Sequence, residues 1–391
     1  MSSTVSQRRS RFAVSMYFLV GGTAIAVWGV HIPEVEKRLG ITHSVIGSVI
    51  LLFGLGAFLA MQAMGWLIDH CGSKNITALG GVATGLGLLL PAFANDVASL
   101  AVGIFILGMS VGILDVAMNA NGVALERQYG RSIFSSLHAM WSIGGIVGAF
   151  IAGVALSLKS PMWLTFCLTG AVMVVLSIGL RHLLVQDRPT EVPVKGEKNS
   201  GNRANRKSLG TVLWVGLMAC FAAIAEGSAV DWSALHLHTV LGASIGEAAL
   251  GVGAFSAAMA VTRLFGDRLV DRLGRLNLVR YGSLLASAGI AIATLANSTL
   301  VGVIGWTILG IGISGVIPQL FIVASKIGEE SHSGRNMAKV VGLTYFGIMA
   351  GPALIGFLTN WMPLNGALAL GCVLTLIVAA GSSILRSEKI R

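Results

Sequence analysis

Gly65-Trp66-Leu67-Ile68-Asp69-His70-Cys71-Gly72-Ser73-Lys74 is a short polar gap between two long apolar runs. A second gap of the same kind, Asp271-Arg272-Leu273-Gly274-Arg275, recurs in the other half of the chain. In each copy an acidic residue stands three places before a glycine, with basic residues beside it, and each lies between the second and third apolar runs of its half. That pattern predicts a tight charged hairpin joining two membrane helices. Two hairpins at matching places predict two homologous halves joined in one chain.

Composition points the same way. Charged residues make up 11% of the 391, hydrophobic residues 54%, and mean hydropathy is +0.81, against a charged share of about 25% in soluble domains. So little polar surface could not cover so much apolar side chain in water. Gly 51 with Pro only 8 suits packed membrane helices, in which small residues let backbones approach. Cys71, Cys167, Cys220 and Cys372 are scattered at no metal-ligand spacing, and neither disulfides nor a metal site are expected.

Twelve apolar runs, each near the roughly 20 residues a bilayer core requires, fall at 12–33, 44–64, 75–95, 98–124, 133–157, 161–183, 209–235, 245–266, 276–296, 299–324, 336–358 and 364–385. The first is too long for a cleaved signal peptide and leads into His31-Ile32-Pro33-Glu34 rather than small residues. With the N-terminus inside, every lysine and arginine except Lys37, Arg38 and Lys159 falls on the cytoplasmic side. The positive-inside rule therefore predicts an even number of spans with both termini cytoplasmic. The net charge of +10 records topology and contact with anionic lipid, not nucleic-acid binding.

Gln186 to Ser208, with Pro189, Pro193, Gly196, Gly201 and many charges, reads as a flexible cytoplasmic linker. The expected organisation is a six-helix bundle over 1–185, the linker over 186–208 and a second six-helix bundle over 209–391. Further echoes support the duplication. Gly130-Arg131 opens span five and Gly334-Arg335 opens span eleven, and Gly144, Gly148 and Gly153 match Gly347, Gly351 and Gly356. The expected fold is all-α, with twelve transmembrane helices in two pseudo-symmetric six-helix bundles related by an axis along the membrane normal.

On these motifs the chain resembles a bacterial member of the major facilitator superfamily over essentially its full length. The resemblance implies a multi-pass transporter of the bacterial inner membrane, working by alternating access, and no enzyme. It also implies that each hairpin acid latches the N-terminal end of a helix from the other half, an anion at a helix dipole worth about 0.3–1 kcal/mol. Carried over, Asp69 would face Arg335 and the start of span eleven, and Asp271 would face Arg131 and the start of span five, holding the cytoplasmic face closed. Two departures weaken a drug/proton-antiporter reading. Ile104 stands four before Gly108 where those antiporters carry an arginine, and Gly144-x-x-x-Gly148-Ala149 lacks their proline.

Polar groups inside apolar spans are costly and mark function. In span four, Asp115 and Asn119 are four apart and share a helix face. Span five, running back, carries His138 and Trp141 at about the same level. The pair resembles the fucose-permease-like branch of the superfamily, in which an acid four residues before an asparagine on span four serves proton coupling. Here Ala120 follows the asparagine where that branch has proline. The plainer reading of His138 is a satisfied interhelical hydrogen bond. Desolvation favours the protonated form of a carboxyl group, which suits Asp115 to coupling. Glu226 on span seven lies about 26 Å along its helix from Leu209 at 1.5 Å per residue and is the second coupling candidate, while Asp231 reads as interfacial.

Trp28 and Trp232 occupy matching places and read either as cavity walls or as an interfacial belt. Tyr345 matches Trp141. Pro318-Gln319 is expected to break span ten midway and to offer Gln319 to a polar ligand. The predicted proton-coupling set is thus Asp115, Glu226 and His138, and the predicted substrate contacts are Asn119, Trp141, Gln319, Trp28, Trp232 and Tyr345.

Other charges read as structural. Ser244-x-x-Glu247 is a capping box for span eight, Arg263 and Asp267 an i,i+4 pair on one helix, and His236 with His238 a poor metal site. No glycine-rich phosphate loop is present, so ATP is not the energy source, and no cofactor is expected. The leading expectation is a monomeric, proton-coupled secondary transporter of a small polar solute, a sugar or related metabolite. The alternatives are efflux of an amphipathic drug or metabolite, favoured by 14 methionines, and a non-transporting membrane sensor, disfavoured by the short termini and linker.

Overall fold

The computed structural model describes residues 2–41, 43–187, 201–328 and 332–385. Most of the expected linker, 188–200, and the basic cluster Arg386, Lys389 and Arg391 lie outside the described residues. Within them the chain is helical throughout, with no strand. The helices are α1 (Ser2–Leu39), α2 (His43–Cys71), α3 (Ser73–Gly87), α4 (Leu89–Ala92), α5 (Val97–Tyr129), α6 (Phe134–Ser157), α7 (Met162–Leu180), α8 (Gly201–Thr239), α9 (Ile245–Leu273), α10 (Arg275–Thr294), α11 (Thr299–Ile313), α12 (Val316–Ser325), α13 (Ser333–Leu358) and α14 (Leu364–Leu385).

Among the described residues, eleven stretches are long and apolar enough to cross a membrane, with α3–α4 and α11–α12 each forming one of them. The twelfth expected span is α9, equally long, but its apolar run is interrupted by Arg263, Asp267, Arg268, Asp271 and Arg272. Large apolar side chains such as Phe150, Val175, Leu158, Leu295 and Leu300 stand exposed. In water such surfaces would be a liability; against lipid they are the solvated face.

Helix ends follow local chemistry. Asp96 caps α5, its carboxylate accepting from the Ser99 amide at 2.7 Å while the Ser99 hydroxyl serves the Asp96 amide. Those bonds hold the exposed Asp96 carboxyl below the usual carboxylate range. The expected box at Ser244 and Glu247 forms at the start of α9. Gly72 and Gly274 both sit at φ 77°, between α2 and α3 and between α9 and α10. That left-handed backbone is why each hairpin carries glycine at the same place.

Two compact units divide the chain. The first takes Met1–Ile133, Leu137–Val194 and Ser331–Ala338; the second takes Phe134–Ser136, Lys195–Glu330 and Lys339–Arg391. In the first, α2 packs on α5, α3 packs on α5 and α7, and α1 also lies on α5. In the second, α9 packs on α11, α10 packs on α11 and α14, and α8 packs on α9 and α14. Three pairings recur: α2–α5 with α9–α11, α3–α5 with α10–α11, and α3–α7 with α10–α14.

Close crossings carry these contacts. A Cβ on Gly305 of α11 would run into the backbone of Ala293 on α10. Gly305→Leu should therefore lower stability by about 1–3 kcal/mol, as forced overpacking does, read as a lower melting temperature in detergent. An unchanged melting temperature would contradict the crossing.

The expected break in span ten occurs earlier than Pro318, at Ser314-Gly315 between α11 and α12. Proline has no amide hydrogen, so the Ser314 carbonyl four residues before Pro318 loses its helical donor. Nε of Arg263 donates to that carbonyl instead, at 3.2 Å. The α2–α3 hairpin is braced by residues after α7. Both carboxylate oxygens of Asp187 accept from the Ser73 amide at the start of α3, at 2.9 and 2.8 Å. Asn121 of α5 donates to the Ser73 hydroxyl and the Val185 carbonyl.

Candidate functional site

In the first unit, α5 presents a buried Asp115 and, one turn on, a buried Asn119. Nδ2 of Asn119 donates to Asp115 Oδ1 at 2.8 Å and also to the Asp115 carbonyl. Nε2 of His138, on α6, lies 3.0 Å from Asn119 Oδ1. A carboxamide oxygen only accepts, so His138 is the donor. The three residues form one line, imidazole to carboxamide to carboxylate, closed on one side by Phe18, whose ring centroid is 5.1 Å from that of His138. Two readings of His138 were open, and the histidine does make an interhelical hydrogen bond, to the residue that holds the acid. Trp141, three residues along α6, packs on Gly21 and Gly22 of α1. Trp28 is buried rather than part of an exposed belt.

In the second unit, Glu226 of α8 meets Arg263 of α9, with Oε1 3.5 Å from Nη2. Oε2 of Glu226 is buried with no hydrogen-bond partner among the described residues. Besides its i,i+4 relation to Asp267 on the same helix, Arg263 reaches Glu226 and the freed Ser314 carbonyl. Trp232 lies against Gly356, and its buried indole nitrogen has no hydrogen-bond partner among the described residues. Tyr345 is half-buried on α13. Gln319 is fully buried; it accepts from Arg275 Nη1 at 2.6 Å and donates to the Ser135 hydroxyl at 3.2 Å.

The hairpin acids cap helix starts. Asp69 Oδ1 accepts from the Gly334 amide at 2.7 Å, and its Oδ2 accepts from the amide and Nε of Arg335 at 3.1 and 3.3 Å. These residues belong to one unit, because the first residues of α13 group with α2. At the start of α6 the acid that caps the helix is Asp267, one turn before Asp271; it accepts from the Ser135 amide at 2.8 Å and from the Ser136 amide. The Arg131 guanidinium lies over the Tyr129 ring at 5.7 Å. When the two hairpins are aligned on Gly72 and Gly274, Asp267 takes the place of Gly65. An acid one turn before the expected one was the visible signal.

Arg263, which the sequence assigns a purely structural place, and Asn121, which it does not single out, belong to the buried polar set as well. Each is a polar group buried in an apolar stretch, which by itself marks a residue with a partner to find. Among the described residues no His, Cys, Asp and Glu cluster could hold a metal ion.

A repeated helical set with exposed apolar faces, buried ionisable groups at helix midpoints and acid-capped hairpins defines a multi-pass membrane transporter. The chain belongs to the Major Facilitator Superfamily, whose family model matches residues 13–244 and 215–389. An uncharacterised MFS-type transporter of Yersinia pestis is 33% identical over 98% of this chain and 98% of its own. Among solved structures, the superfamily transporter FucP, the Escherichia coli fucose:proton symporter, gives a TM-score of 0.77 at 18% identity, covering 95% of this chain and 97% of that one. The proton:xylose symporter XylE gives 0.78 at 14% identity, covering 100% and 97%. At these identities the structural likeness speaks for the fold.

Proposed function

We propose that the protein is a proton-coupled secondary transporter of a small polar solute, a sugar or related metabolite. It would act by alternating access in the bacterial inner membrane, as a monomer with both termini cytoplasmic. The working halves are 1–185 and 209–391, tethered by 186–208. The observation that carries the reading is the line His138–Asn119–Asp115 in the first unit. Its carboxylate is held by a neutral carboxamide, and the same carboxamide takes a proton-bearing imidazole on its other side. A proton arriving at Asp115 alters what Asn119 can offer His138, so proton binding and the geometry of α6 are linked. Trp141 and Tyr345 supply aromatic surfaces for a solute, with Trp28 and Trp232 further along. Glu226 is the second titrating group. Asp69 with Arg335, and Asp267 with Ser135, hold helix starts as latches. The proton:sugar symport named for two structural neighbours agrees with the reading without deciding the solute.

The test is reconstitution into liposomes with an imposed inward proton gradient and a pH-sensitive dye inside. The expected result is solute uptake accompanied by internal acidification, both stopped when an ionophore collapses the gradient. Uptake indifferent to that collapse would remove proton coupling from the reading.

A further inference from the structure

His31 lies near the end of α1, wholly buried, with its ring against Phe166 of α7 at 5.0 Å between centroids. Its Nδ1 is 2.8 Å from the Val27 carbonyl. A carbonyl oxygen only accepts, so Nδ1 carries the hydrogen, and in a neutral imidazole Nε2 is then a bare lone pair. That nitrogen is buried with no hydrogen-bond partner among the described residues. It faces Glu34, one turn on, whose Oε2 is 4.0 Å away and is likewise buried without a hydrogen-bond partner among the described residues. Two acceptors thus face each other in an apolar setting, where an unmade hydrogen bond is costly. One proton satisfies both. Placed on Nε2, it makes an imidazolium that donates to the carboxylate, a bond that runs about 2.7–2.9 Å when closed.

The position of the pair gives that proton a consequence. Pro33 lies between the two residues, inside the helix. It has no amide hydrogen for the Gly29 carbonyl, so α1 is weakest there. A bond from His31 to Glu34 spans the weak point through side chains. Val35 and Arg38 continue the same helix face. Val35 is fully buried, and Arg38 donates to the carbonyls of Pro91 and Ala92 at the end of α4 and of Ala94 just after it. The last turns of α1 are therefore tied to the α4–α5 connection.

We infer that His31 and Glu34 together form a proton-binding site, and that the bound proton stiffens α1 across Pro33. The inference rests on the reading of the chain as a transporter only in placing this end of α1 outside, and it makes no use of Asp115. The proton comes from water at the Glu34 side chain, which is 35% exposed, and settles on Nε2 while Nδ1 keeps its own. The pair passes from one negative charge to none. Without the proton, the lone pairs of Nε2 and Oε2 repel, Glu34 turns to solvent, and only the weakened backbone holds the last turns. Among the described residues, the elements packed on α1 bring little competing charge. α4 and α7 have no acid, lysine or arginine, and the one titratable group of α6, His138, is bonded to Asn119. On α5 the first charged residue is Asp115, about 27 Å from the start of that helix at 1.5 Å per residue. Asp96, ahead of α5, is taken by Ser99, while Asp69 and Lys74 stand at the far hairpin. Glu36 and Lys37 lie on other faces of α1 itself.

The test is 15N NMR of the full-length protein in detergent with labelled histidine, the His31 signals being those lost in His31→Gln. Between pH 8 and pH 5, the range in which an imidazole ordinarily changes charge, Nε2 of His31 should pass from a bare to a protonated nitrogen. In Glu34→Gln the carboxamide supplies the hydrogen that the carboxylate lacks, so His31 should stay neutral throughout. The second readout is hydrogen exchange of amides 34–39, compared between the two proteins at the same pH. At pH 5 they should exchange alike. At pH 8 the wild type should exchange about tenfold or more faster, the worth of a lost bond to a charged group. No gradient or solute is involved, so failure here is distinct from failure of proton-driven uptake. A His31 signal that does not change across the range, a change that persists in Glu34→Gln, or equal exchange of the two proteins at pH 8 would each overturn the proposal.

Discussion

In liposomes carrying a pH gradient of about two units, Asp115→Asn should fail to concentrate solute while still exchanging it across the membrane. One coupled proton converts each pH unit into about 1.4 kcal/mol, a tenfold accumulation. The wild type should therefore approach about a hundredfold accumulation and the variant about onefold. Counterflow exchange needs the helices to move but no net proton movement. Asparagine fits the same space, accepts from Asn119 Nδ2 as the acid does, and cannot titrate. His138→Gln should give an intermediate result, because it keeps a donor toward Asn119 Oδ1 but removes the ring that packs on Phe18. Gradient-driven accumulation by Asp115→Asn equal to the wild type would end the assignment of that carboxylate.

The second large effect concerns the capped helix starts. Asp69 accepts three hydrogen bonds from Gly334 and Arg335, and bonds to charged groups contribute about 1.5–3 kcal/mol each. Losing even about 1.4 kcal/mol changes the ratio of held to released α13 starts tenfold. The reporter is Ala338→Cys, a buried position on the first turns of α13 that packs beside Gly65 of α2. Adding Asp69→Asn should speed its labelling by a water-soluble maleimide about tenfold or more, by the same free-energy arithmetic. At the other hairpin Asp267→Asn should release the start of α6, whose Ser135 and Ser136 amides it caps. Labelling that ignores Asp69→Asn in a folded protein would remove the latch.

The hairpins, the twelve-span pattern, the all-helical class and the α9 capping box were legible because each rests on local chemistry. Glycine takes a left-handed turn, serine and glutamate cap reciprocally, and long apolar runs become membrane helices. The misplaced contacts all depend on how far one helix slides along another. Asp267 and Asp271 lie on one face of α9 a single turn apart, so sequence periodicity ranks them equally. Only the packing of α9 beside Ser135 chooses between them. The partners of Gln319, Ser135 and Arg275, come from distant segments, so nothing in its neighbourhood of sequence announces them. Arg263 stands one turn from Asp267 in the sequence and also reaches Glu226 and Ser314 on other segments, which no local pattern foretells. Asp115 and Asn119 were recoverable because their bond lies within one helix turn.

The clamp at the end of the first half has a bearing on how the chain can be divided. Asp187 and Val185 tie the segment after α7 to Ser73 and Asn121, and Arg181 holds Asn75 through two further bonds. A fragment ending at Asp187 retains every one of these bonds, so the α3 start keeps its anion and α5 keeps a partner for its buried carboxamide. A fragment ending at Leu180 loses them all and leaves Asn121 buried with its amide half-satisfied. For expressing the halves as separate polypeptides that reassociate in the membrane, the permissive cut lies beyond Asp187 and before α8, and the helix boundary itself is the wrong place for scissors.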